Sequence, residues 1–260
     1  MTAAFSLYAP RDSGLHRLHP LTKLALAAFG LVAGLVLPGL WANYLAFAVL
    51  LMPLAAWGRI LRPFLRAAVR VVVPFALSLF LIQGFLWPHG TPVVELWGPI
   101  SLKAEGLRFA VLSCGRILMV VGSFLLLSLS TRPDALMIAL SQRGVPKNIT
   151  YIVIATVQIA PRFEAKAAAI LDAQRARGLE TEGSFRRRAR ALLPLVIPLV
   201  LGSIVDIEER AIALEARGFS RRGPKTSLLV LSDTRAQAVT RWLLLVAAAL
   251  LVVMRLAIRR

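Results

Sequence analysis

The sequence predicts an all-α fold, a polytopic membrane helical bundle with a cytoplasmic helical coupling region. Of its 260 residues, 58% are hydrophobic and the mean hydropathy is +0.72, whereas soluble domains are about half apolar. Several apolar runs also approach the roughly 20 residues with which a helix crosses a bilayer. A long stretch that mixes apolar and charged residues, Ser130–Ser232, separates the last two runs. Such a stretch is too long and too apolar for a loop, and it predicts several helices.

Charge and cysteine content narrow the class further. The formal net charge is +18, which in a soluble protein would suggest nucleic acid. Here the cations lie between apolar runs, so we expect them to face the headgroups of the lipid bilayer and expect no nucleic-acid partner. A single cysteine, Cys114, excludes an intrachain disulfide and a multi-cysteine metal site. The N-terminus lacks the apolar core of a cleavable signal peptide, so the first apolar run is expected to direct insertion.

The first half of the chain predicts four membrane spans. The first two are short or interrupted, since Pro38-Gly39 breaks one and almost no loop precedes the next. They therefore predict a tight helical hairpin of tilted or broken helices. The turn-rich segment Pro88–Gly106 separates the third span from the fourth. The four spans are Leu21–Leu40, Asn43–Trp57, Val71–Trp87 and Leu107–Leu129.

Loop charges predict the orientation. Four arginines, from Arg59 to Arg70, occupy the predicted loop between spans two and three, and the Pro38–Ala42 turn has no charge. The positive-inside rule then places this loop and the N-terminus in the cytoplasm. The last span is Trp242–Leu256, with positive charge at both of its ends. The sequence therefore leaves open whether there are five or six spans, and on which side the C-terminus lies.

The coupling region is predicted to hold several helices. Pro133 stands at a permitted first-turn position of one helix, with Thr131 or Asp134 as its cap. Pro161 is expected to stop the next helix. A further helix with two prolines is expected to be kinked and to lie at the membrane surface or partly embedded against the bundle. These segments are Thr131–Pro146, Asn148–Ala160, Arg162–Arg177, the basic cluster Ser184–Arg190, and Ala191–Gly218. The predicted domains are 1–129 for spans one to four, 130–232 for the coupling helices and 233–260 for the last span.

One tripeptide, Ala-Arg-Gly, ends two of these helices, at Ala176, Arg177 and Gly178 and again at Ala216, Arg217 and Gly218. Glycine closes a helix by adopting positive φ, and arginine in the last turn is favoured by the helix dipole. Capping explains either copy alone. The duplication favours two similar tips that enter two equivalent acidic grooves of a two-fold symmetric partner, because arginine offers a rigid fork of donors. Small residues on both helices would let them cross closely.

The whole chain resembles the transmembrane T component of energy-coupling factor (ECF) transporters, importers of the ABC superfamily. Four segments carry the resemblance: "YAPRDSGLHRLHPLTKL" from Tyr8, "GRILMVVGSFLLLSLSTRPDAL" from Gly115, "IAPRFEAKAAAILDAQRARG" and "EERAIALEARGF". The paired Ala-Arg-Gly endings are its most specific part. His19 departs from the family pattern, where aspartate is more usual, and this change would weaken an N-terminal helix cap.

The resemblance implies a scaffold in a bacterial or archaeal cell membrane. Its two tips, at Arg177 and Arg217, would dock into grooves on a homo- or heteromeric pair of ATPase subunits. The membrane part would hold a substrate-binding S component that imports a vitamin or a metal ion, and the sequence does not select among these. ATP and magnesium would be held by the ATPases, so the chain itself would bind no cofactor or metal and have no catalytic residue.

The sequence also allows two other protein classes. Arg116 lies deep in the fourth span and is a candidate for organising the bundle within the membrane. A membrane enzyme would use Arg116 with His16 or His19, but the sequence lacks nucleophile motifs, and the histidines lack a third metal ligand nearby. A conventional ABC permease would couple through one short helix between spans. The acidic stretch Asp206–Arg210 is expected to be a solvated or intrahelically paired face.

Overall fold

The all-α prediction is confirmed by a computed structural model, which describes residues 8, 11–87, 91–97, 100–179, 185–221, 223 and 231–258. At 92–97, 100–101, 147, 185–193 and 258 it describes the backbone only. The helices are α1 (Gly14–Arg17), α2 (Pro20–Val36), α3 (Ala42–Ala46), α4 (Met52–Trp57), α5 (Leu61–Leu86), α6 (Ala104–Ser130), α7 (Pro133–Ser141), α8 (Lys147–Ala176), α9 (Phe185–Ala216) and α10 (Arg235–Ile258). A π-helical turn, Phe47–Leu51, joins α3 to α4, and a hairpin of β1 (Pro92–Trp97) and β2 (Ile100–Lys103) precedes α6.

The described residues form two compact units. The bundle unit comprises the described residues up to 150 together with 231–258, and the helix-pair unit comprises those from 151 to 223. The membrane-span helices therefore belong to the first unit, and nearly all of α8 with all of α9 belongs to the second.

The core of the bundle unit forms around α6. In its most apolar 18-residue window, 44% of the residues are buried, compared with 6% in α5 and in α10, so α6 is the central helix. Met119 and Leu126 of α6 pack with Phe47, Leu51 and Phe64 in one hydrophobic cluster. The outer faces of α5 and α10 expose large apolar side chains, as helices do when they face lipid.

Contacts to α6 and α2 fix the directions of the spans. Lys23 lies at Ser130 and Gly34 lies beside Met119, so α2 runs antiparallel to α6. The His19 amide donates to Oε1 of Gln237 at 2.8 Å. Because Arg241 likewise reaches Thr22 at 3.5 Å, α10 runs parallel to α2. The C-terminal end of α10 therefore lies on the side of the bundle opposite to the start of α2.

Helix lengths agree with the predicted short first hairpin. Among the described residues, α5, α6 and α10 are long and apolar enough to cross a membrane, whereas Pro20–Val36 and Ala42–Trp57 are shorter. The 17 residues of α2 extend about 26 Å at roughly 1.5 Å per residue, less than the hydrocarbon thickness of about 30 Å. The π-helical turn interrupts the second apolar segment, as expected for a broken helix.

One prediction about the connecting segments is wrong. Arg62, Arg66 and Arg70 were expected in a loop between spans two and three, but they lie in α5, which begins at Leu61, and only Arg59 precedes it. The interval from Pro88 to Gly106, described as turn-rich, holds the two-stranded hairpin, and its residues 88–90 and 98–99 lie outside the described residues.

The predicted helix stop in the coupling region is also wrong. Pro161 lies inside α8, which continues for another fifteen residues to Ala176. Proline removes one backbone donor, but its φ fits a helix, and cooperative turns on both sides maintain the structure. Pro194 and Pro198 lie inside α9 in the same way, and the basic cluster from residue 185 begins that helix; Ser184 lies outside the described residues.

Candidate functional site

The first Ala-Arg-Gly tip ends α8 in a Schellman motif. The Leu179 amide donates to the carbonyl of Gln174 at 3.0 Å, and the Gly178 amide donates to the carbonyl of Arg175 at 2.9 Å. Gly178 has φ +90°, a conformation that costs a residue with a Cβ about 1–2 kcal/mol. The predicted role of Gly178 as the residue that closes the helix is therefore confirmed.

The second tip repeats this geometry residue for residue. The Phe219 amide donates to Leu214 at 3.0 Å, the Gly218 amide donates to Glu215 at 2.8 Å, and Gly218 has φ +71°. The two bonds satisfy carbonyls that a helix end otherwise leaves unpaired. The backbone therefore places Arg177 and Arg217 at equivalent positions, one residue before the left-handed glycine.

The side chains of both tips face outwards. Ala176, Arg177 and Gly178 are exposed, and so are Ala216, Arg217 and Gly218. Within the described part of the chain, neither arginine side chain forms a hydrogen bond or an ion pair. Each guanidinium therefore keeps five N–H donors for a partner. Their contact with ATPase subunits stays a prediction.

An ion pair joins the two long helices, α8 and α9, at a point between their two tips. Lys166 Nζ of α8 donates to Asp206 Oδ2 at 2.7 Å and to the Gly202 carbonyl at 2.8 Å, both on α9. A Cβ at Gly202 would lie 2.7 Å from this Nζ, so glycine allows the close approach. Asp206 was expected to face solvent or to pair within its own helix, and it pairs with the other helix instead. The alanines expected at the crossing, among them Ala165, are exposed instead.

The ion pair also divides the helices symmetrically. Lys166 precedes Arg177 by 11 residues, and Asp206 precedes Arg217 by the same 11 residues. At roughly 1.5 Å per residue, each arginine lies about 16 Å along its helix from the ion pair. Because the two helices run antiparallel, this arrangement relates the tips by an approximate two-fold axis through the pair.

An aromatic contact confirms the antiparallel direction. Phe219, directly after the second tip, packs on Tyr151 near the start of α8 with ring centroids 5.0 Å apart. Between this contact and the ion pair lies a cavity of about 1000 Å³, which both helices line with apolar side chains such as Ile152 and Leu214 and with charged side chains such as Arg210. The second tip is thus held near the N-terminal end of α8, while the first tip is at its C-terminal end.

A third Arg-Gly ending occurs in the bundle unit, at the end of α7. The Val145 amide donates to Leu140 and the Gly144 amide to Ser141, both at 3.2 Å, and Gly144 has φ +100°. Here the arginine is not free, because Arg143 Nη2 donates to Asp233 Oδ2 at 2.9 Å. Sequence reasoning missed this match, although the Arg-Gly pair and its position at a helix end were visible.

Asp233 connects that ending to α10. Arg241 donates to both of its carboxylate oxygens, at 3.0 and 2.7 Å. These hydrogen bonds are the main reason why the pKa of Asp233 lies below its usual value. The aspartate therefore holds Arg143, which follows α7, and Arg241 of α10.

The remaining candidate residues have structural contacts. His19 caps α2, because its Nδ1 accepts from the Leu21 amide at 3.3 Å, and burial lowers its pKa. His16 Nδ1 lies 2.7 Å from Ser13 Oγ. The described residues hold no cluster of three metal-ligating side chains. Arg116 is half-buried with its Nε unpartnered, and the buried Oδ1 of Asn43 is also unpartnered.

The fold and these tips define a class: a multi-pass helical membrane protein with two matched basic helix ends. Residues 11–228 match the family model described as "Cobalt transport protein" (CbiQ). A relative from Lacticaseibacillus paracasei is 30% identical over 95% of this chain and 97% of its own length. Relatives from Listeria innocua (28% identical, 84% of each chain) and Limosilactobacillus fermentum (25% identical, 97% of each chain) are similar to it as well.

All three relatives are named "Energy-coupling factor transporter transmembrane protein EcfT". The chain belongs to the CbiQ family, the transmembrane components of energy-coupling factor transporters, and the resemblance seen in the sequence is confirmed. A membrane component of a transporter fits a non-catalytic subunit.

Proposed function

We propose that this chain couples a pair of cytoplasmic ATPase subunits to a substrate-binding S component that imports a vitamin or a metal ion. Arg177 and Arg217 contact the ATPases, and the motion of the ATPases reaches the membrane bundle through α8 and α9. The ATPases bind ATP and magnesium, and this chain takes no part in the hydrolysis.

The observation that carries the proposal is the equivalence of the two tips. Both end in the same Schellman motif, both expose an arginine without an internal partner in the described structure, and both lie 11 residues from the Lys166–Asp206 pair. A two-fold symmetric pair of ATPases offers two equivalent grooves. A partner with one groove would leave the second tip without a role.

We propose further that the N-terminus lies in the cytoplasm and the C-terminus outside. The arginine-rich start of α5 supports the first part, and the parallel course of α2 and α10 supports the second. Alkaline phosphatase fused after Arg260 should be active, since it folds only outside the cytoplasm, whereas the same fusion after Ser220 should be inactive. An inactive C-terminal fusion with normal expression would contradict this orientation.

Replacing both tip arginines by glutamate tests the coupling role. The double variant Arg177→Glu/Arg217→Glu should insert into the membrane but lose the ATPase subunits on purification, with loss of transport. Arg162→Glu/Arg210→Glu changes the net charge equally on the same helices, 15 and 7 residues before the tip arginines, and it should retain the ATPases. Normal assembly and transport by the tip variant would refute the proposal.

A further inference from the structure

A second cavity lies in the bundle unit, where three apolar helices end on one side. It is formed at the start of α2, at the end of α6 and just before α10, and its volume is about 140 Å³. One water needs only roughly 10–15 Å³ of such space. Among the described residues, those that line it include the cations Arg17, Lys23 and Arg132 and no aspartate or glutamate. The cavity is therefore both roomy and positively charged.

Lys23 is the buried charge in this lining, with 6% of its surface exposed. Its Nζ donates to the carbonyls of Ser130 at 2.7 Å and His16 at 3.2 Å, so one of its three N–H donors remains. No carboxylate lies within ion-pair distance of Lys23 in the described part of the chain. Buried charges are normally paired, and the C-terminus of α6 supplies only about half a negative charge.

Two further arginines add to this positive charge. Arg17 is exposed and has no ion pair among the described residues. Arg132 is bound to Asp134 through Nε at 3.1 Å and Nη2 at 2.5 Å, which leaves three of its five N–H donors. The N-terminus of α2 at Pro20 also lies at the cavity, and helix N-termini favour anions.

We propose that this cavity binds a phosphate-bearing anion that pairs with the charge of Lys23. The phosphate accepts the remaining N–H of Lys23, and Arg17 and Arg132 donate to it from the open side. The cavity lies where apolar helices end, which is the level of lipid headgroups in a bilayer. The same chemistry suits the headgroup of an anionic phospholipid and a soluble phosphate ester. This site is separate from the two tips, so it does not depend on the proposed ATPase contact.

Lipid binding to the purified chain in detergent tests the proposal. Native mass spectrometry and thermal unfolding are followed with phosphatidylglycerol, with phosphatidylcholine and with inorganic phosphate in separate samples. Phosphatidylglycerol should form retained adducts and raise the unfolding temperature more than phosphatidylcholine does. If inorganic phosphate stabilises the chain to the same extent, the anion that binds in the cavity is a soluble phosphate rather than a lipid headgroup. Equal effects of the two lipids, or no effect of any of the three, would overturn the site.

Variants locate the effect in the cavity. Arg17→Gln should weaken binding of the stabilising anion by at least about 10-fold, since a hydrogen bond to a charged group contributes about 1.5–3 kcal/mol. Arg11→Gln removes an equally exposed charge outside the cavity lining and should bind normally. Lys23→Met should abolish binding. If Lys23→Met does not fold, the proposal is tested by comparing Arg17→Gln with Arg11→Gln. Equal binding by these two variants would refute it.

Discussion

The end of α7 in the bundle unit and the ends of α8 and α9 in the helix-pair unit share one backbone design and differ in what their arginines meet. All three close with the same pair of backbone bonds and a glycine at positive φ. Arg143 binds Asp233, whereas Arg177 and Arg217 meet no carboxylate in the described structure. The backbone motif thus sets the shape of a tip, and the presence or absence of an internal acid separates a structural ending from an open one.

This difference also indicates what an open tip can do. The guanidinium of Arg143 reaches a carboxylate that lies outside its own helix, ninety residues away in the chain. Arg177 and Arg217 have the same position relative to their glycines, so they can present the same donors to an acid on another protein. The following predictions test that contrast, from the largest expected effect to the smallest.

Single alanine substitutions at the three arginines should separate the two kinds of ending. Arg177→Ala and Arg217→Ala should each weaken ATPase binding by about 10- to 100-fold, because a charge-assisted hydrogen bond contributes about 1.5–3 kcal/mol. Arg143→Ala should leave this affinity unchanged. Binding of purified ATPases to the chain in detergent measures all three. If Arg143→Ala weakens binding as strongly as the tip variants, the contrast is wrong.

Removing the internal acid should affect stability rather than assembly. Asp233→Asn should lower the stability of the bundle by about 1–3 kcal/mol, because Asp233 accepts from two arginines and the Arg241 side chain is only 11% exposed. Arg143→Gln should cost less than about 1 kcal/mol, since that side chain is 58% exposed. Thermal unfolding in detergent compares the two variants. Equal losses would show that Arg241 is not the main partner.

Substituting the tip glycines should loosen the tips without removing their charge. Gly178→Ala should cost about 1 kcal/mol, since nothing crowds the added Cβ and only the positive φ opposes it. Gly144→Ala, equally uncrowded, should cost about the same. Hydrogen exchange at the Leu179 amide should accelerate in Gly178→Ala and stay unchanged in Gly144→Ala. Unchanged exchange in both would show that the Schellman bonds do not depend on glycine.

The smallest effect concerns acid sensitivity in the bundle unit. Burial lowers the pKa of His19 most, nearby Arg241 and Arg143 lower it further, and Asp233 opposes them. The fold therefore favours neutral imidazole, and stability should fall as the pH drops below about 6.5, where the unfolded chain takes up the proton. The pKa of Asp233 is also lowered, so its contribution is lost only at pH values below about 3.8.

Comparison with His19→Asn isolates this effect. Asparagine retains a capping acceptor but does not titrate. The unfolding temperature of the variant should therefore change less between pH 7.5 and 5.5 than that of the unaltered chain. Identical pH profiles would show that His19 does not titrate in this range.

Local signals in the sequence were sufficient to predict where the two long helices end. Gly178 and Gly218 were identified as caps because positive φ after a helix is a property of one residue and its immediate neighbours. The apolar runs likewise identified the five apolar helices among the described residues, because the hydropathy of a run depends on its own residues alone.

Features that depend on distant partners could not be predicted in the same way. Pro161 was predicted to stop a helix because proline removes a backbone donor locally, whereas the helical turns on either side of it are cooperative and maintain α8. The pairing of Lys166 with Asp206 needs the crossing of two helices, which no local pattern gives. One missed feature did have a signal: Arg62, Arg66 and Arg70, which lie in α5, recur every four residues, the spacing of one helix face.

The equal distances from Lys166 and Asp206 to the two tips have a mechanical consequence. Forces of equal size and opposite direction on Arg177 and Arg217, applied across the helices, cancel as a net push on the pair. Their torques about the central ion pair add, because the lever arms are equal and point in opposite directions. In the proposed complex, such a pair of helices would convert a symmetric movement of the two ATPases into rotation about one axis.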